Sequence, residues 1–335
     1  MARLKVLVLP PKSLYRILFS KDTEKRLSEF AEVKRNEKDE NLSTEELTPI
    51  IEDFDGAITS WGSPRFTEEV VARARKLKVI AHAAGSVKRF VSQAVIERGI
   101  VVTSAAMAIA VPVAEHCLGL VLACLRNTVR HNNMFKEKGI WRKPGLWEKS
   151  RSIHGKKVGV IGASFTGREF IKLLSRFDCQ ILLYDPYLSD EEAAELGVKR
   201  VSLEELLRQS DIVAVHAPLT SETEGMLGAK ELALMKDDAV LVNTARGKII
   251  DHQALLAELQ KGRLRAGLDV TDPEPLPKDS PFRRMDKVII TPHIAGFSSV
   301  SRVAVGRMAA QSVIDVFSGR RPVNQVDLKR LSIIA

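Results

Sequence analysis

At 335 residues the chain suits two domains of ordinary size, which excludes a miniature scaffold held together by staples. Its composition, 45% hydrophobic and 28% charged with 20 Gly and 14 Pro, is that of a globular protein and excludes disordered and collagen-like classes. The net charge of +9 admits anionic partners, but 42 acidic residues are interleaved with the 51 basic ones, and the short basic runs at Lys76/Lys78 and Arg320/Arg321 lack the aromatic residues on which bases stack. A small anionic metabolite is therefore the expected partner, and neither nucleic acid nor a membrane is.

In chain order, short β-branched runs alternate with amphipathic segments: Lys5–Leu9 then Leu14–Phe30, Gly56–Ser60 then Thr67–Leu77, Lys78–Ala81 then Val87–Arg98, and then Ile100–Thr103. Arg3 and Lys5 precede too short an apolar run for a signal peptide, so the start reads as a first strand. The βαβα rhythm implies parallel strands joined by helical crossovers, because parallel neighbours cannot be linked by a tight turn. Val111–Leu125 is apolar around most of its circumference and, as a helix, must be buried on several sides. Pro112, Glu115 and His116 interrupt the surrounding stretch, so it is not read as a membrane span. Cys117 and Cys124 lie two turns apart on it and read as core thiols. With Cys179 they make an odd count without metal-ligand spacing, so no disulfide framework and no metal site are expected, and the compartment reads as a reducing cytoplasm.

A second βα series follows the loop Lys138–Gly155. Strands are predicted at Lys157–Ile161, Gln180–Tyr184, Val198–Val201, Ile212–Ala217, Ala239–Asn243, Leu264–Asp269 and Val288–Thr291. A helix start is predicted at Ser202, with acids in its first turn, and a last helix runs from about Ser298 to Phe317, ending at Gly319. The fold class is α/β: two doubly wound parallel-sheet domains.

The turn Gly162-Ala163-Ser164-Phe165-Thr166-Gly167 sits between a strand and a helix, and the next strand ends at Asp185. Gly162 permits the sharp turn and Gly167 lets helix and strand approach, while N–H groups at the helix start, near Phe165 and Thr166, can hold a pyrophosphate. Asp185 is placed to accept hydrogen bonds from both ribose hydroxyls and to repel a 2′-phosphate, which favours NAD over NADP. Ser164 stands where G-x-G-x-x-G has its middle glycine, and its hydroxyl could donate to phosphate instead.

Three later segments each end a predicted strand: Val242-Asn243-Thr244-Ala245-Arg246-Gly247, Gly267-Leu268-Asp269-Val270-Thr271-Asp272-Pro273-Glu274-Pro275, and Thr291-Pro292-His293-Ile294-Ala295-Gly296. With the glycine turn, the helix VAEHCLGLVLACLRN and the closing GRRPVNQV, they resemble the NAD-dependent D-isomer-specific 2-hydroxyacid dehydrogenases over nearly the whole chain.

The resemblance implies a substrate-binding, flavodoxin-like domain at 1–107 plus 302–335, a Rossmann NAD-binding domain at 108–301, an active site in the cleft between them, and a homodimer. It implies that Arg246 binds the substrate carboxylate, His293 exchanges the hydroxyl proton and Glu274 hydrogen-bonds His293. Asp269 would sit beside the nicotinamide, and Ala217, Pro218, Thr223, Thr244, Ala245, Arg246, His293, Ala295 and Gly296 would line the cofactor. The amides of Gly85 and Ser86 would face the substrate carboxylate. Where many members read RAGVGVDNID, this chain has His82-Ala83-Ala84-Gly85-Ser86-Val87-Lys88-Arg89-Phe90-Val91, so that Ser86 replaces a common Gly and Lys88 and Arg89 replace Asp and Asn, and Lys88 or Arg89 could attract a second anionic group. The remaining histidines, His82, His116, His131, His154, His216 and His252, read as structural or solvated.

The chemistry independently calls for these residue types. Moving a hydride to or from C2 of a hydroxy acid requires a group that carries the hydroxyl proton, which suits histidine, and a neighbouring carboxylate such as Glu274 helps an imidazolium to form. An Arg fork grips a carboxylate at two points. Glyoxylate or hydroxypyruvate reductases and phosphoglycerate dehydrogenases are the implied activities. Two alternatives remain at this level: an NAD(H)-binding corepressor-like scaffold, and a formate dehydrogenase, for which Gln would be expected in place of Glu274. No appended regulatory domain is expected after Ala335.

Overall fold

The computed structural model describes residues 3–147, 149–331 and 333. The chain divides into two compact units, Met1–Ile109 with Phe297–Ala335, and Ala110–Gly296.

The first unit is built on five parallel strands, β1 (Lys5–Val8), β2 (Glu32–Arg35), β3 (Gly56–Thr59), β4 (Val79–His82) and β5 (Val101–Ser104), in the order β2-β1-β3-β4-β5. This flavodoxin-like order reverses between β1 and β3. All four residues of both β3 and β4 are buried, as continuous apolar runs in a sheet covered on both faces should be.

Three departures from the sequence reading have local causes. The segment expected as one helix from Leu14 is two, Lys12–Leu18 and Lys21–Phe30, because Ser20 adopts extended backbone and caps the second by accepting from the Thr23 amide. The strand β2, Glu-Val-Lys-Arg, was not anticipated; it is an edge strand whose charges discourage pairing with another chain. The expected helix from Val87 contracts to Gln93–Glu97, since Val91 pairs instead with Phe66. A fourth departure is the helix Thr44–Ile50, capped by Ser43, whose hydroxyl accepts from the Glu46 amide. The last helix, Ser299–Phe317, is capped by Ser298 and lays Val305, Ala309 and Val313 into the core of this unit.

The second unit carries seven parallel strands, β6 (Lys156–Ile161), β7 (Cys179–Tyr184), β8 (Lys199–Arg200), β9 (Ile212–Val215), β10 (Val240–Asn243), β11 (Arg265–Leu268) and β12 (Val288–Ile290), in the order β12-β11-β10-β9-β6-β7-β8. The order reverses between β6 and β9, the position where open α/β sheets bind ligands. Helix Ala106–Arg126 is 21 residues long and apolar enough to pass for a membrane span by length and composition. Its residues Ala114, Cys117, Val121 and Leu125 are instead fully buried, in a core shared with Val158 and Val160 of β6. Burial pushes the Cys124 thiol up to about 12 and the Cys117 thiol higher still, so both are core residues and weak nucleophiles.

Candidate active site

The strands β10, β11 and β12 are neighbours, with Asn243 opposite Leu268 and Leu268 opposite Ile290. The segments that follow them therefore leave the sheet side by side at its carboxyl edge. Buried Asn243 sets the first of them: its Oδ1 accepts from the Ala245 amide at 3.0 Å and its Nδ2 donates to the Arg246 carbonyl at 2.9 Å. Arg246 is half-buried, and its guanidinium donates to the Ala245 carbonyl at 2.7 Å. Gly247 then packs directly on the second segment. A Cβ there would stand 2.1 Å from the Thr271 carbonyl oxygen, so only glycine lets the Arg246 loop and the Glu274 loop meet.

Glu274 spans two loops. Its Oε1 accepts from the Thr271 amide at 3.1 Å and its Oε2 lies 2.9 Å from His293 Nδ1. A carboxylate only accepts, so Nδ1 carries the hydrogen and Nε2 is the nitrogen left to meet a substrate oxygen. His293 is half-exposed and holds left-handed backbone at φ 53°. Asp269, buried beneath it, anchors that conformation. The Asp269 carbonyl accepts from the His293 amide at 2.8 Å, and its carboxylate accepts from the amides of Ile294 at 3.0 Å and Ala295 at 2.9 Å and from the Thr291 hydroxyl at 2.5 Å.

The nucleotide turn lies after β6. Gly162 has φ 95°, and a Cβ on Gly167 would stand 2.0 Å from the Gly162 carbonyl oxygen. Ser164 caps the helix Phe165–Leu174: its hydroxyl accepts from the Gly167 amide at 3.3 Å and donates to the His216 carbonyl at 2.9 Å. The expectation that this hydroxyl donates to phosphate is therefore corrected, because its one hydrogen already goes to His216. The amides of Phe165 and Thr166, in the first helical turn, have no acceptor among the described residues, as expected where an anion can dock. Asp185, half-buried at the end of β7, accepts from the Ala163 amide at 2.7 Å and the Tyr187 amide at 2.9 Å. It braces the turn while keeping further lone pairs for a ribose. This donor and acceptor set fits a dinucleotide.

After β9, the Thr223 hydroxyl donates to the Pro218 carbonyl at 2.6 Å and accepts from the Thr220 amide at 2.8 Å, which closes the turn behind Ala217. His216 is fully buried, and desolvation lowers its pKa to about 3, so the ring is neutral.

Two histidines read as structural or solvated turn out to join the strand-end loops. His252 donates from Nδ1 to the Ile250 carbonyl at 3.0 Å and accepts at Nε2 from the Asp272 amide at 3.3 Å, clamping the Glu274 loop. His116 reaches the Thr291 hydroxyl at 2.9 Å. Neither link to a strand-end loop carries a signal in the sequence, because Asp272 lies 20 residues from His252 and Thr291 lies 175 from His116. Among the described residues no cluster of His, Cys, Asp and Glu could hold a metal ion.

Gly85 and Ser86 belong to the first unit, at the carboxyl end of β4. There the Ala84 carbonyl accepts from the Ala105 amide at 2.9 Å and the Ser104 hydroxyl donates to the Gly85 carbonyl. Lys88 is half-buried and Arg89 exposed.

A doubly wound sheet with this glycine turn at its switch point and a carboxylate–imidazole pair at its carboxyl edge defines a dinucleotide-binding α/β protein. The sequence model of the D-isomer specific 2-hydroxyacid dehydrogenase NAD binding domain matches residues 118–295. A D-3-phosphoglycerate dehydrogenase of Methanocaldococcus jannaschii is 35% identical over 98% of this chain and 60% of its own length. A glyoxylate reductase of Pyrococcus furiosus is 32% identical over 92% of each chain. A Thermus thermophilus protein of solved structure superposes with a TM-score of 0.80 at 32% identity, covering 96% of this chain and 100% of its own. The chain belongs to the D-isomer-specific 2-hydroxyacid dehydrogenase family, and its second unit is that family's NAD-binding domain. It spans about 60% of the length of the Methanocaldococcus relative.

Proposed function

We propose that the protein interconverts a small D-2-hydroxy acid and its 2-keto acid, using NAD(H). The observation that carries this reading is the 2.9 Å Glu274–His293 hydrogen bond, which leaves His293 Nε2 free to exchange a proton at the carboxyl edge of an NAD-binding sheet. Bound NADH supplies the hydride. In the reductive direction His293 donates its proton to the carbonyl oxygen, and Glu274 stabilises the imidazolium and holds the ring in one tautomer. Arg246 grips the substrate carboxylate and draws electron density from the adjoining carbonyl.

Asp185 at the ribose position favours NADH over NADPH by repelling a 2′-phosphate. The named activities of the relatives, glyoxylate reductase and D-3-phosphoglycerate dehydrogenase, support a short anionic substrate. A homodimer is supported by helix Thr128–Lys138, which has no buried residue, and by the exposed Phe135, Trp141 and Trp147 in and after it.

A panel of 2-keto acids, glyoxylate, hydroxypyruvate, pyruvate and phosphohydroxypyruvate, with NADH or NADPH and absorbance at 340 nm tests the activity. Oxidation of NADH by at least one of them supports it, and none across the panel refutes it. Light scattering of the eluted protein tests the dimer.

A further inference from the structure

His116 lies on helix Ala106–Arg126, 175 residues before the threonine it touches. Its Nε2 is 2.9 Å from Thr291 Oγ1 and 3.6 Å from Asp269 Oδ1. Thr291 Oγ1 is in turn 2.5 Å from Asp269 Oδ1. A carboxylate oxygen accepts, so the Thr291 hydrogen is committed to Asp269. The Thr291 oxygen can then only accept from His116, which must carry its hydrogen on Nε2. Donor direction is thereby set through three residues, from His116 to Thr291 to Asp269.

Asp269 is the end of this array and the anchor of the catalytic loop. Its side chain is fully buried, and its carbonyl and carboxylate together receive the three successive amides of His293, Ile294 and Ala295. Among these, His293 holds the left-handed backbone that an L-residue adopts only when its surroundings impose it. A hydroxyl free to rotate could turn its hydrogen away from Asp269 and leave a buried carboxylate short of one donor. The N–H of His116 removes that freedom.

Resting on the reading of His293 as the acid–base residue, we propose that His116 is a positioning residue for it. By donating to Thr291 it commits the hydroxyl to Asp269 and so holds the His293 loop where Glu274 reaches Nδ1 and Nε2 stays available to substrate. The ring is a quarter exposed and its polar edge faces polar partners, which is not the environment of a core filler.

The test compares His116→Leu, which removes the donor, with His116→Gln, which keeps an N–H of similar reach, and Thr291→Val with Thr291→Ser. The readouts are kcat at saturating 2-keto acid, the NADH Kd by fluorescence, and amide exchange of a peptide covering residues 291–296. His116→Leu is expected to lower kcat about tenfold, as small misplacements of catalytic groups do, with the NADH Kd little changed and exchange in 291–296 faster. Glutamine and serine should each restore most of the loss. The double variant His116→Leu/Thr291→Val should be no slower than Thr291→Val alone, since both break one array.

Should kcat for His116→Leu stay within twofold of the parent, or the two losses multiply, the proposal is overturned. If His116→Leu does not fold, the Thr291→Val and Thr291→Ser pair decides by the same criteria. Absence of turnover in the parent protein would sink the reading of His293, whereas unchanged exchange in His116→Leu would sink the positioning role alone.

Discussion

Replacing Asp269 by Asn keeps the shape of the side chain and changes its hydrogen bonding, and the structure allows the cost to be worked out. The carboxylate accepts from one hydroxyl and two amides, while its carbonyl takes the His293 amide. An Asn has one accepting oxygen, so its NH2 must turn toward the Ala295 amide, or toward the Thr291 hydroxyl and the Ile294 amide. Loss of one bond to a charged acceptor, with a buried N–H left facing a donor, costs about 3 kcal/mol. Left-handed backbone at His293 stores about 1 kcal/mol more, which the loop releases by relaxing. At about 1.4 kcal/mol per factor of ten, the two together, about 4 kcal/mol, should leave roughly one Asp269→Asn molecule in 700 with the loop set and lower kcat several-hundred-fold, about 700-fold at full effect. The assay is NADH oxidation at saturating 2-keto acid, with thermal unfolding to show that the variant is folded. A kcat within threefold of the parent, in a variant that melts normally, would refute the reasoning.

Two further outcomes follow from named groups. Burial pushes the pKa of His82 and His216 down to about 3, against 6.5 for the free side chain, so below pH 6.5 the unfolded chain binds protons that the folded one refuses. Stability is therefore complete above that pH and should fall by about 1.4 kcal/mol per pH unit for each histidine as the medium is acidified toward pH 5. Urea titrations at several pH values measure it, and His82→Gln should flatten the dependence by about one proton; an unchanged slope would contradict the assignment. Asp185→Ser, which keeps an acceptor for the Ala163 amide, should shift the ratio of NADPH to NADH affinity upward by about tenfold, because a negative charge is removed from the position of the 2′-phosphate. An unchanged ratio in fluorescence titrations would place the discrimination elsewhere.

How much of this was legible in the sequence depended on the range of the interaction. Buried parallel strands such as Gly56–Thr59 and Ile212–Val215 are written as uninterrupted apolar runs, and the glycine turn is a local requirement, so both could be read directly. The edge strand Glu32–Arg35 could not, since an edge needs charge where an interior strand needs apolar residues. The break at Ser20 and the helix at Thr44–Ile50 hang on single capping side chains set in otherwise helix-compatible sequence.

At the site, Arg246, Glu274 and His293 were legible because each lies in a segment that ends a strand and those segments together resemble the family's signatures. Their supports were not, because His116 meets Thr291 across 175 residues and the Ser164 hydroxyl meets the His216 carbonyl across 52. No periodicity encodes such a pairing. These contacts arise only in the fold, where β6 pairs with β9 and helix Ala106–Arg126 shares a core with β6.

The proposed role of His293, oriented by Glu274, is to carry the proton of a hydride transfer to a 2-keto acid. The most direct measurement is the single-turnover rate of NADH oxidation by His293→Ala, taken beside its NADH Kd. A rate lowered by three orders of magnitude or so, with NADH bound as tightly as by the parent, is the predicted result; a rate near that of the parent would contradict it.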